Sequence, residues 1–529
     1  MQMNELKIIP RIHGKVTAKE GYTTLPETIC IQDDELEQWS VKAFQIRTER
    51  IVKRKEGSIC IFKNRKLRNE AYQLVVSEND IQIEASAESG VINALTTLFE
   101  LCDAEGKALI CEIADQPIYQ HRGLSLDCAR HFWSIDTIKN IIEQISLAKM
   151  NVLHWHLTDD QGWRIESKKF PLLQKVSREY YTQDEIRDIV HFAKIRNVEI
   201  IPEIDLPGHV TGILAAYPKL SCSEREVSLA VGGGIFKTIL CAGKNQTFDF
   251  LEELLEEICS LFSSERIHIG GDEAPKTEWK ICPHCRKIME QEQLSNLNDV
   301  QGYFSARITQ ILKKYGKKAI CWNDSLLAKN FPADTCIQYW SVQYAAQMQN
   351  FVRQGGSYIY SDMFELYLDY PYSMTPMKKI YQLSPHISNL SCGKENGMLG
   401  MEACIWSEHI KSAKWLLELI FPRIFALAEI CWSGKGDYEE FKKRIAGKTT
   451  VLEQQNIAHT DFDWWDPQGD ARREEAIRYF TSIGDDMDPS VKGETMDSAG
   501  TGVEFQRCFM TRFFQPEDAA FLAKFAEKK

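Results

Sequence analysis

The sequence is dominated by a regular alternation of short apolar runs and amphipathic helix patterns between Tyr119 and Trp432. Eight of the apolar runs predict buried strands, and helix patterns separate most of them. Such alternation is typical of parallel βα units, and its length and strand count fit a (β/α)8 barrel with insertions. A doubly wound open sheet would usually carry a glycine-rich phosphate loop after its first strand, and residues 123–126 form no such loop.

The chain on either side of this region predicts two further units. Before it, residues 71–76 and 81–85 alternate as half-buried strands, and a helical spacing follows over 91–101. After it, the pattern fades into a charged region, where Asp470 could cap a helix over 471–483.

This charged region continues with a polar, turn-rich segment over 484–502, which predicts a loop, and a last helix over 516–525. We therefore predict an α/β protein with three parts. They are an accessory α/β domain over 1–115, a catalytic TIM-type barrel over 118–434 and a mostly helical or irregular C-terminal extension over 435–529.

Carboxylates follow the apolar core of most predicted strands. The clearest case is the run 267–273, where two glycines allow a tight turn between a buried strand and the acidic pair Asp272 and Glu273. The carboxyl ends of barrel strands meet on one face, which holds the active site of barrel enzymes. The carboxylates predicted on that face are Asp127, Asp159, Asp160, Asp205, Asp272, Glu273, Asp324 and Glu408.

The composition bounds the partners and the compartment. The 529 residues carry a formal net charge of −12, which argues against nucleic acid or an anionic membrane as the main partner. No apolar stretch approaches the ~20 residues that span a bilayer, and residues 1–7 lack the features of a secretory signal. The 16 cysteines are scattered, mostly in apolar runs, as expected for reduced core thiols. These features predict a cytoplasmic protein.

Five ordered sequence blocks give the barrel a specific resemblance. The blocks are residues 121–123, 127–132, 154–164, 203–209 and 270–273. Together they resemble the β-N-acetylhexosaminidases of glycoside hydrolase family 20, and the resemblance covers the chain from Tyr119 to Trp432. The N-terminal α/β unit is also similar to the small domain that precedes the barrel in that family.

The resemblance implies a retaining exo-β-N-acetylhexosaminidase that releases terminal GlcNAc or GalNAc from an oligosaccharide or glycoconjugate. In this family the 2-acetamido oxygen of the substrate attacks C1 and forms an oxazolinium ion, outside the usual scheme of two catalytic carboxylates. By this resemblance Glu273 is the general acid and then the general base. Asp272 holds the acetamido N–H and stabilises the developing positive charge, and the Tyr367 hydroxyl binds the acetamido oxygen.

The same resemblance implies which residues enclose the sugar. Charged side chains suit vicinal hydroxyls, and tryptophan rings suit the sugar face and the acetamido methyl group. The implied substrate-binding residues are Arg130, Asp159, His209, Trp322, Trp340, Asp369, Trp406 and Glu408. Asp205 is expected to orient His209 beside the acid. We expect no cofactor and no metal.

Three other interpretations are open on the residues alone. A retaining β-glycosidase with a carboxylate nucleophile would use Glu408 together with Glu273, and it would accept substrates without the acetamido group. A metal-dependent barrel hydrolase would use His154, His156 and Asp205, because residues i and i+2 of a strand point the same way, and chelators would inhibit it. A silent sugar-binding module would have no need for a general acid.

The cysteine pattern contains one zinc-like motif. Cys282 and Cys285, in the run 282–285, have the spacing of half a zinc site. No second pair of that spacing lies nearby in the sequence. The pattern alone therefore does not favour structural zinc.

Overall fold

The computed structural model describes residues 7–25, 29–31, 59–103, 105–490, 512–513 and 518. Its N-terminal part is a six-stranded sheet with antiparallel and parallel neighbours. In sheet order the strands are Lys15–Thr24, Lys107–Asp115, Tyr72–Val76, Ile81–Ala85, Ile59–Lys63 and Ile29–Ile31. Alternate residues of Tyr72–Val76 and Ile81–Ala85 are buried, as their alternating sequence predicts.

The helix Glu88–Glu100 packs against this sheet. Its apolar stripe, which includes Val91 and Leu95, lies in one cluster with buried strand residues. The cluster also contains Trp432 from the barrel, so the two parts share some of their packing. Arg122, at the start of the barrel, adds an ion pair to Glu70, with nitrogen–oxygen distances of 3.0 and 2.5 Å.

A closed barrel of eight parallel strands follows. In chain order the strands are His121–Asp127, Val152–His156, Glu199–Glu203, Arg266–His268, Lys318–Trp322, Cys336–Tyr339, Tyr358–Tyr360 and Met398–Ile405. The eighth strand closes the barrel against the first, with Gly400 opposite His121. A Cβ at Gly400 would lie 1.7 Å from the His121 carbonyl oxygen, so the closing pair needs glycine there. The predicted barrel is confirmed.

Helices connect the strands. The longer ones are Ile135–Leu147, Gln183–Lys194, Asn245–Leu261, Leu297–Lys314, Ala345–Arg353, Ala413–Ile420 and Arg423–Ser433. Shorter helices within the loops are Leu172–Ser177, Thr211–Leu214, Thr277–Ile281, Pro283–Gln291, Met363–Leu366 and Met377–Tyr381. Ser134 caps the first long helix, because its side chain accepts a hydrogen bond from the Thr137 N–H.

One predicted helix is divided in two. The sequence predicts a single helix over 413–432, but the structure contains Ala413–Ile420 and Arg423–Ser433. Pro422 has no backbone N–H, and the residue before a proline is driven out of the helical region. Phe421 is accordingly extended, with ψ of 136°, and the first helix ends before it.

The region after the barrel is more regular than predicted. The helix Tyr438–Gln454 buries Phe441, Ile445 and Leu452 in the core cluster of the barrel, although its many charged residues hide this pattern in the sequence. The predicted helix over 471–483 is also longer, and it extends over Gly469–Asp486.

Two details of this prediction are therefore corrected. Gln468 is the N-cap of the helix, so Asp470 lies in its first turn instead of capping it. Residues 484–486, predicted as loop, are helical, while 491–502 and all but residue 518 of the predicted last helix lie outside the described residues. Within the described ranges, no helix is long and apolar enough to cross a membrane.

Candidate active site

The predicted site residues converge at the carboxyl ends of the barrel strands. The loop after the first strand carries Arg130, and the loop after the second carries Asp159. The fourth strand ends at His268, directly before the turn to Asp272 and Glu273. The loops after the last two strands bring Tyr367, Asp369, Trp406 and Glu408 to the same cleft, where the ring centres of Tyr367 and Trp406 are 6.1 Å apart.

The acidic pair stands on a strained turn. Gly270 and Gly271 have φ of 62° and 100°, and Glu273 itself has φ of 46°. A Cβ at Gly270 would lie 1.8 Å from Asp205 Oδ1, so only glycine allows this close approach. A left-handed conformation in a non-glycine residue costs about 1–3 kcal/mol and is found mostly at functional sites. The turn therefore holds the Asp272–Glu273 pair in an imposed geometry.

Asp272 is a half-buried carboxyl group with an unused oxygen atom. Its side chain is 15% exposed, and its Oδ1 has no hydrogen-bond partner among the described residues. Burial raises the pKa of Asp272 to about 6, against the lowering effect of His209 and with help from the charges of Glu203 and Glu273. Burial likewise raises the pKa of its neighbour Asp324 well above the ordinary range. An inward-facing acceptor of this kind suits an N–H group of a ligand.

His209 lies between the acidic pair and the second-strand loop. Its Nδ1 is 3.1 Å from Asp159 Oδ1 and 3.4 Å from Asp160 Oδ2, and its Nε2 is 3.5 Å from Glu273 Oε2. Burial alone would lower the pKa of His209, but Asp159, Asp160 and Glu273 together outweigh it and raise this pKa well above 6.5. His209 is therefore a cation that points at Glu273.

The predicted role of Asp205 is corrected by these contacts. Asp205 Oδ1 accepts a hydrogen bond from the Gly271 N–H at 3.2 Å, so this carboxyl supports the acidic turn from below. The hydrogen bond that orients His209 is the one that its Nδ1 donates to Asp159 Oδ1 instead. Sequence proximity favoured Asp205, which is only four positions from the histidine, whereas the barrel brings Asp159 next to it from a different loop.

Arg130 and Asp159 form a buried ion pair in the cleft. Arg130 Nη2 lies 2.7 Å from Asp159 Oδ2, and its Nη1 donates to Asp127 Oδ2 at 3.3 Å. The guanidinium carbon lies 5.1 Å from the centre of the Trp406 ring. Glu408 Oε1 is 3.8 Å from Arg130 Nη2, and its side chain is 24% exposed. Arg130 and Glu408 therefore form a charged pair that a sugar can reach.

Asp159 itself has no oxygen left for a ligand. It is only 1% exposed, and its Oδ1 accepts from the Asp160 N–H at 2.6 Å and from His209. Its Oδ2 accepts from His156 Nε2 at 2.9 Å and pairs with Arg130. Burial would raise the pKa of Asp159, but Arg130, His209 and His156 together outweigh it and hold this pKa far below the ordinary range. Asp159 thus orients Arg130 and His209.

Aromatic side chains form one wall of the cleft. The ring centres of Trp322 and Trp406 are 5.8 Å apart, and the rings of Trp340 and Tyr367 are nearly parallel at 6.5 Å. Trp340 Nε1 donates to Asp324 Oδ2 at 2.8 Å, which fixes the indole. Burial raises the pKa of Tyr367 well above 10, so its hydroxyl keeps its proton. The wall suits a sugar face and a methyl group.

Asp369 lies beside this wall. Its Oδ1 accepts a hydrogen bond from the Trp406 N–H at 3.5 Å. Burial, together with the charge of Glu408, raises the pKa of Asp369 to about 8. Asp369 is therefore largely protonated at neutral pH, and it can donate to a hydroxyl group.

Comparison with known families decides what this barrel is. The model of the glycosyl hydrolase family 20 catalytic domain matches residues 119–435, and the model of domain 2 of that family matches residues 5–116. The chain belongs to glycosyl hydrolase family 20.

Family 20 proteins are similar to most of the chain. A beta-hexosaminidase of Porphyromonas gingivalis is 32% identical over 432 residues, which cover 74% of this chain and 54% of that protein. One of Vibrio furnissii is also 32% identical, over 70% of this chain and 67% of that one.

Solved structures are similar over a larger share of the chain. The β-N-acetylhexosaminidase of Bacteroides fragilis has a TM-score of 0.78 at 30% identity, over 86% of this chain and 96% of that one. The N-acetyl-β-hexosaminidase of Streptomyces plicatus in complex with thio-NAglucal has a TM-score of 0.74 at 26% identity, with the same coverage.

Beneath the family 20 site lies a ladder of buried histidines and carboxylates, of which the sequence suggested a role only for His154 and His156, as ligands in the metal-dependent alternative. The ladder consists of His121, Glu402, His154, Glu203, His156 and His268. Glu402 accepts from His121 Nε2 and His154 Nδ1, each at 2.8 Å. Glu203 accepts from His156 Nδ1 at 2.5 Å and from Trp322 Nε1 at 2.8 Å. The ladder therefore fixes Trp322 of the aromatic wall from below. In the sequence it is visible only as polar residues inside predicted buried strands.

Proposed function

We propose that the protein is a retaining exo-β-N-acetylhexosaminidase that releases terminal β-linked GlcNAc or GalNAc from oligosaccharides or glycoconjugates. The nucleophile is the acetamido oxygen of the substrate. The observation that carries the proposal is the placement of Asp272 and Glu273 on one strained turn beside Asp324, which accepts a hydrogen bond from Trp340 of the aromatic wall. Membership of family 20 and the β-hexosaminidase relatives support it.

Glu273 is the proposed general acid and base. Its side chain is 29% exposed, and His209 Nε2 places a positive charge 3.5 Å from it. In the first step Glu273 protonates the leaving oxygen while the acetamido oxygen attacks C1 and the glycosidic bond breaks. In the second step it takes a proton from the water that attacks C1 and opens the oxazolinium ring. Two displacements at C1 return the β configuration.

Asp272 and Tyr367 are proposed to hold the acetamido group from both ends. The unused Oδ1 of Asp272 accepts the acetamido N–H, and the Tyr367 hydroxyl donates to the acetamido oxygen. Positive charge develops on this group as its oxygen attacks C1, and the Asp272 carboxylate stabilises that charge. Orienting an internal nucleophile in this way can lower the barrier by about 7 kcal/mol or more.

The remaining polar residues are proposed to bind the ring hydroxyls. Arg130 donates and Glu408 accepts, while Asp369 adds a third contact beside Trp406. These charged contacts exclude ligands that lack the hydroxyls, because a buried polar group would stay unpaired. In this proposal Asp159 does not contact the sugar, because its two oxygens already bind Arg130 and His209.

Hydrolysis of p-nitrophenyl β-N-acetylglucosaminide and of its galacto isomer tests the proposal. We expect turnover of at least one, inhibition by the stable thiazoline analogue of the oxazolinium ion, and little turnover of p-nitrophenyl β-glucoside, which lacks the acetamido group. Equal turnover of the glucoside would favour Glu408 as a carboxylate nucleophile, for which the comparisons offer no support. Failure to hydrolyse either N-acetyl substrate would overturn the proposal.

A cytoplasmic location is also part of the proposal. Five buried cysteines that the sequence places in apolar runs have free thiols, as expected in a reducing compartment: Cys128, Cys259, Cys321, Cys404 and Cys431. Fractionation of native cells checks this, because recovery of the protein in the secreted fraction would contradict it.

A further inference from the structure

Four cysteine side chains converge behind the catalytic loops. Cys222 and Cys241 come from the loop after the third barrel strand, and Cys282 and Cys285 from the loop after the fourth. All four Sγ atoms lie within 4.8 Å of one another. Cys241, Cys282 and Cys285 are buried, and Cys222 is half-buried. The sequence showed only the second pair, because Cys222 and Cys241 lack the close spacing of a zinc motif.

The sulfur atoms are spaced as in a tetrahedral metal site. The Sγ–Sγ distance is 3.7 Å between Cys222 and Cys285, 3.7 Å between Cys241 and Cys282, and 3.6 Å between Cys241 and Cys285. A disulfide would need about 2.05 Å. Four sulfur atoms at about 2.3 Å from a central Zn²⁺ ion form a tetrahedron whose edges are about 3.8 Å long. These three of the six Sγ–Sγ distances match those edges, and the other three are at most 4.8 Å.

The helix Pro283–Gln291 sets the position of one cysteine pair. Cys282 is its N-cap, and Cys285 lies in its first turn. A Cβ at Gly243 would lie 2.2 Å from the His284 carbonyl carbon. Glycine at 243 therefore allows the third-strand loop to pack directly against the backbone of the helix start.

Antiparallel pairing of two backbone segments sets the position of the other cysteine pair. Ser221 and Leu240 form an antiparallel bridge, and the Cys241 N–H donates to the Leu220 carbonyl at 2.8 Å. This backbone pairing brings Cys222 and Cys241 side by side. Loop segments that are far apart in sequence are thus built around one point.

We propose that these four cysteines bind one structural Zn²⁺ ion. Four thiolates around Zn²⁺ carry a net charge of about −2, and their protons are released to solvent on binding. Lys244 holds the same loop together, because its Nζ donates to the Lys219 and Ser221 carbonyls at 2.8 and 2.7 Å and to Glu224 Oε1 at 2.8 Å. Four protein ligands leave no open position, so the ion has a structural role.

The zinc joins the two loops that carry the acidic pair and its histidine. The third-strand loop contains His209, and within it the Leu240 N–H donates to the Pro207 carbonyl at 3.1 Å. The fourth-strand loop contains Glu273, and its Trp279 Nε1 donates to the Leu240 carbonyl at 2.9 Å. The ion therefore stabilises the relative position of His209 and Glu273 without touching the substrate. Its presence does not depend on the proposed function.

Metal analysis of the full-length protein, purified without chelators, tests the proposal. We expect about one zinc per chain, released when a mercurial reagent titrates the thiols. Cys241→Ser and the double variant C282S/C285S should lose this zinc. Cys259→Ser is the matched control, because Cys259 is buried in a helix outside the cluster and its loss should leave the zinc content unchanged.

A second measurement keeps the test decisive if the variants do not fold. Removing zinc from the wild-type protein with a strong chelator under reducing conditions should lower the melting temperature by several degrees, and adding zinc should restore it. Replacement by Cd²⁺ should produce an ultraviolet thiolate-to-metal charge-transfer band. Metal-free protein with four titratable thiols, iron in place of zinc, or a disulfide among the four cysteines would overturn the assignment.

Discussion

Asp159 and Asp272 face opposite nitrogen atoms of His209, yet their oxygen atoms are used in contrasting ways. Both oxygens of Asp159 are engaged by buried donors, which outweigh the effect of burial and together hold its pKa far below the ordinary range. Asp272 Oδ1 has no partner among the described residues, and burial raises its pKa to about 6. Asp159 therefore has hydrogen-bond partners within the protein for both oxygens, whereas one oxygen of Asp272 is available to a donor group of the substrate.

The same contrast divides the whole cleft. On the satisfied side, Glu203 lies within 3.1 Å of nitrogen atoms of three ladder histidines and accepts a hydrogen bond from Trp322. On the unsatisfied side, Asp324 Oδ1 also lacks a partner in the described part of the chain. Unpaired buried polar atoms that line the cleft can bind ligand atoms. Substitutions on the unsatisfied side should therefore cost activity alone, and those on the satisfied side both activity and stability.

Glu273→Gln is the strongest test of the unsatisfied side. It removes the proton donor and keeps the shape, so we expect kcat/KM for a natural disaccharide to fall by about 10⁴-fold. The loss should be smaller for p-nitrophenyl substrates, whose leaving group needs less protonation. Steady-state kinetics with both substrates measure this, and a near-normal rate on the disaccharide would remove Glu273 from the acid role.

Asp272→Asn should cost about 10³-fold in kcat/KM, because the amide cannot stabilise the developing positive charge. In the wild type, kcat/KM should fall as the pH drops through about 6, where Asp272 takes up a proton. The variant should lack this acid limb in its pH profile. An unchanged limb in the variant would assign it to another group.

The stability of Asp272→Asn sharpens the comparison further. The folded-state pKa lies above the unfolded value of about 3.9, so the stability contributed by the neutral carboxyl is lost as the pH rises through 6. Asparagine stays neutral at every pH, so the variant does not lose this stability. We expect the variant to melt at the same temperature as the wild type, or higher, at pH 8.

Asp159→Asn tests the side of the cleft where the carboxylates already have partners. Misplacing Arg130 and His209 should cost about 10²-fold in activity. Removing one partner from buried ion pairs should also destabilise the fold by about 3–5 kcal/mol. The folded-state pKa of Asp159 is lowered, so its stabilisation is present at neutral pH and is lost as the pH falls below about 3.9. Thermal melts beside Asp272→Asn check the contrast, and equal melting temperatures would contradict it.

The sequence predicts the barrel well because parallel strands are buried on both faces and read as continuous apolar runs. It misses the helix Tyr438–Gln454, because only a narrow apolar stripe of that helix reaches the core. The acidic pair is found because it follows a strand directly. The partner of His209 is not, because Asp159 lies 50 positions away and only barrel closure joins them.

The cysteine cluster shows the same limit of sequence patterns. Cys282 and Cys285 are visible as a pair, but Cys222 is 63 positions from Cys285 and Cys241 is 41 positions from Cys282. Local spacing identifies ligands on one turn of chain. Whether ligands from two separate loops meet depends on how those loops pack, and glycine at 243 allows this close packing.

Tyr367→Phe should give the smallest loss, about tenfold in kcat, because Asp272 still holds the other end of the acetamido group. Affinity for the thiazoline inhibitor should weaken by a similar factor, since the inhibitor carries the ring that the hydroxyl recognises. Tyr370→Phe is the matched control, because Tyr370 is a buried tyrosine whose ring centre lies 6.3 Å from that of Tyr367. If both variants lose activity equally, the aromatic wall and not the Tyr367 hydroxyl is responsible.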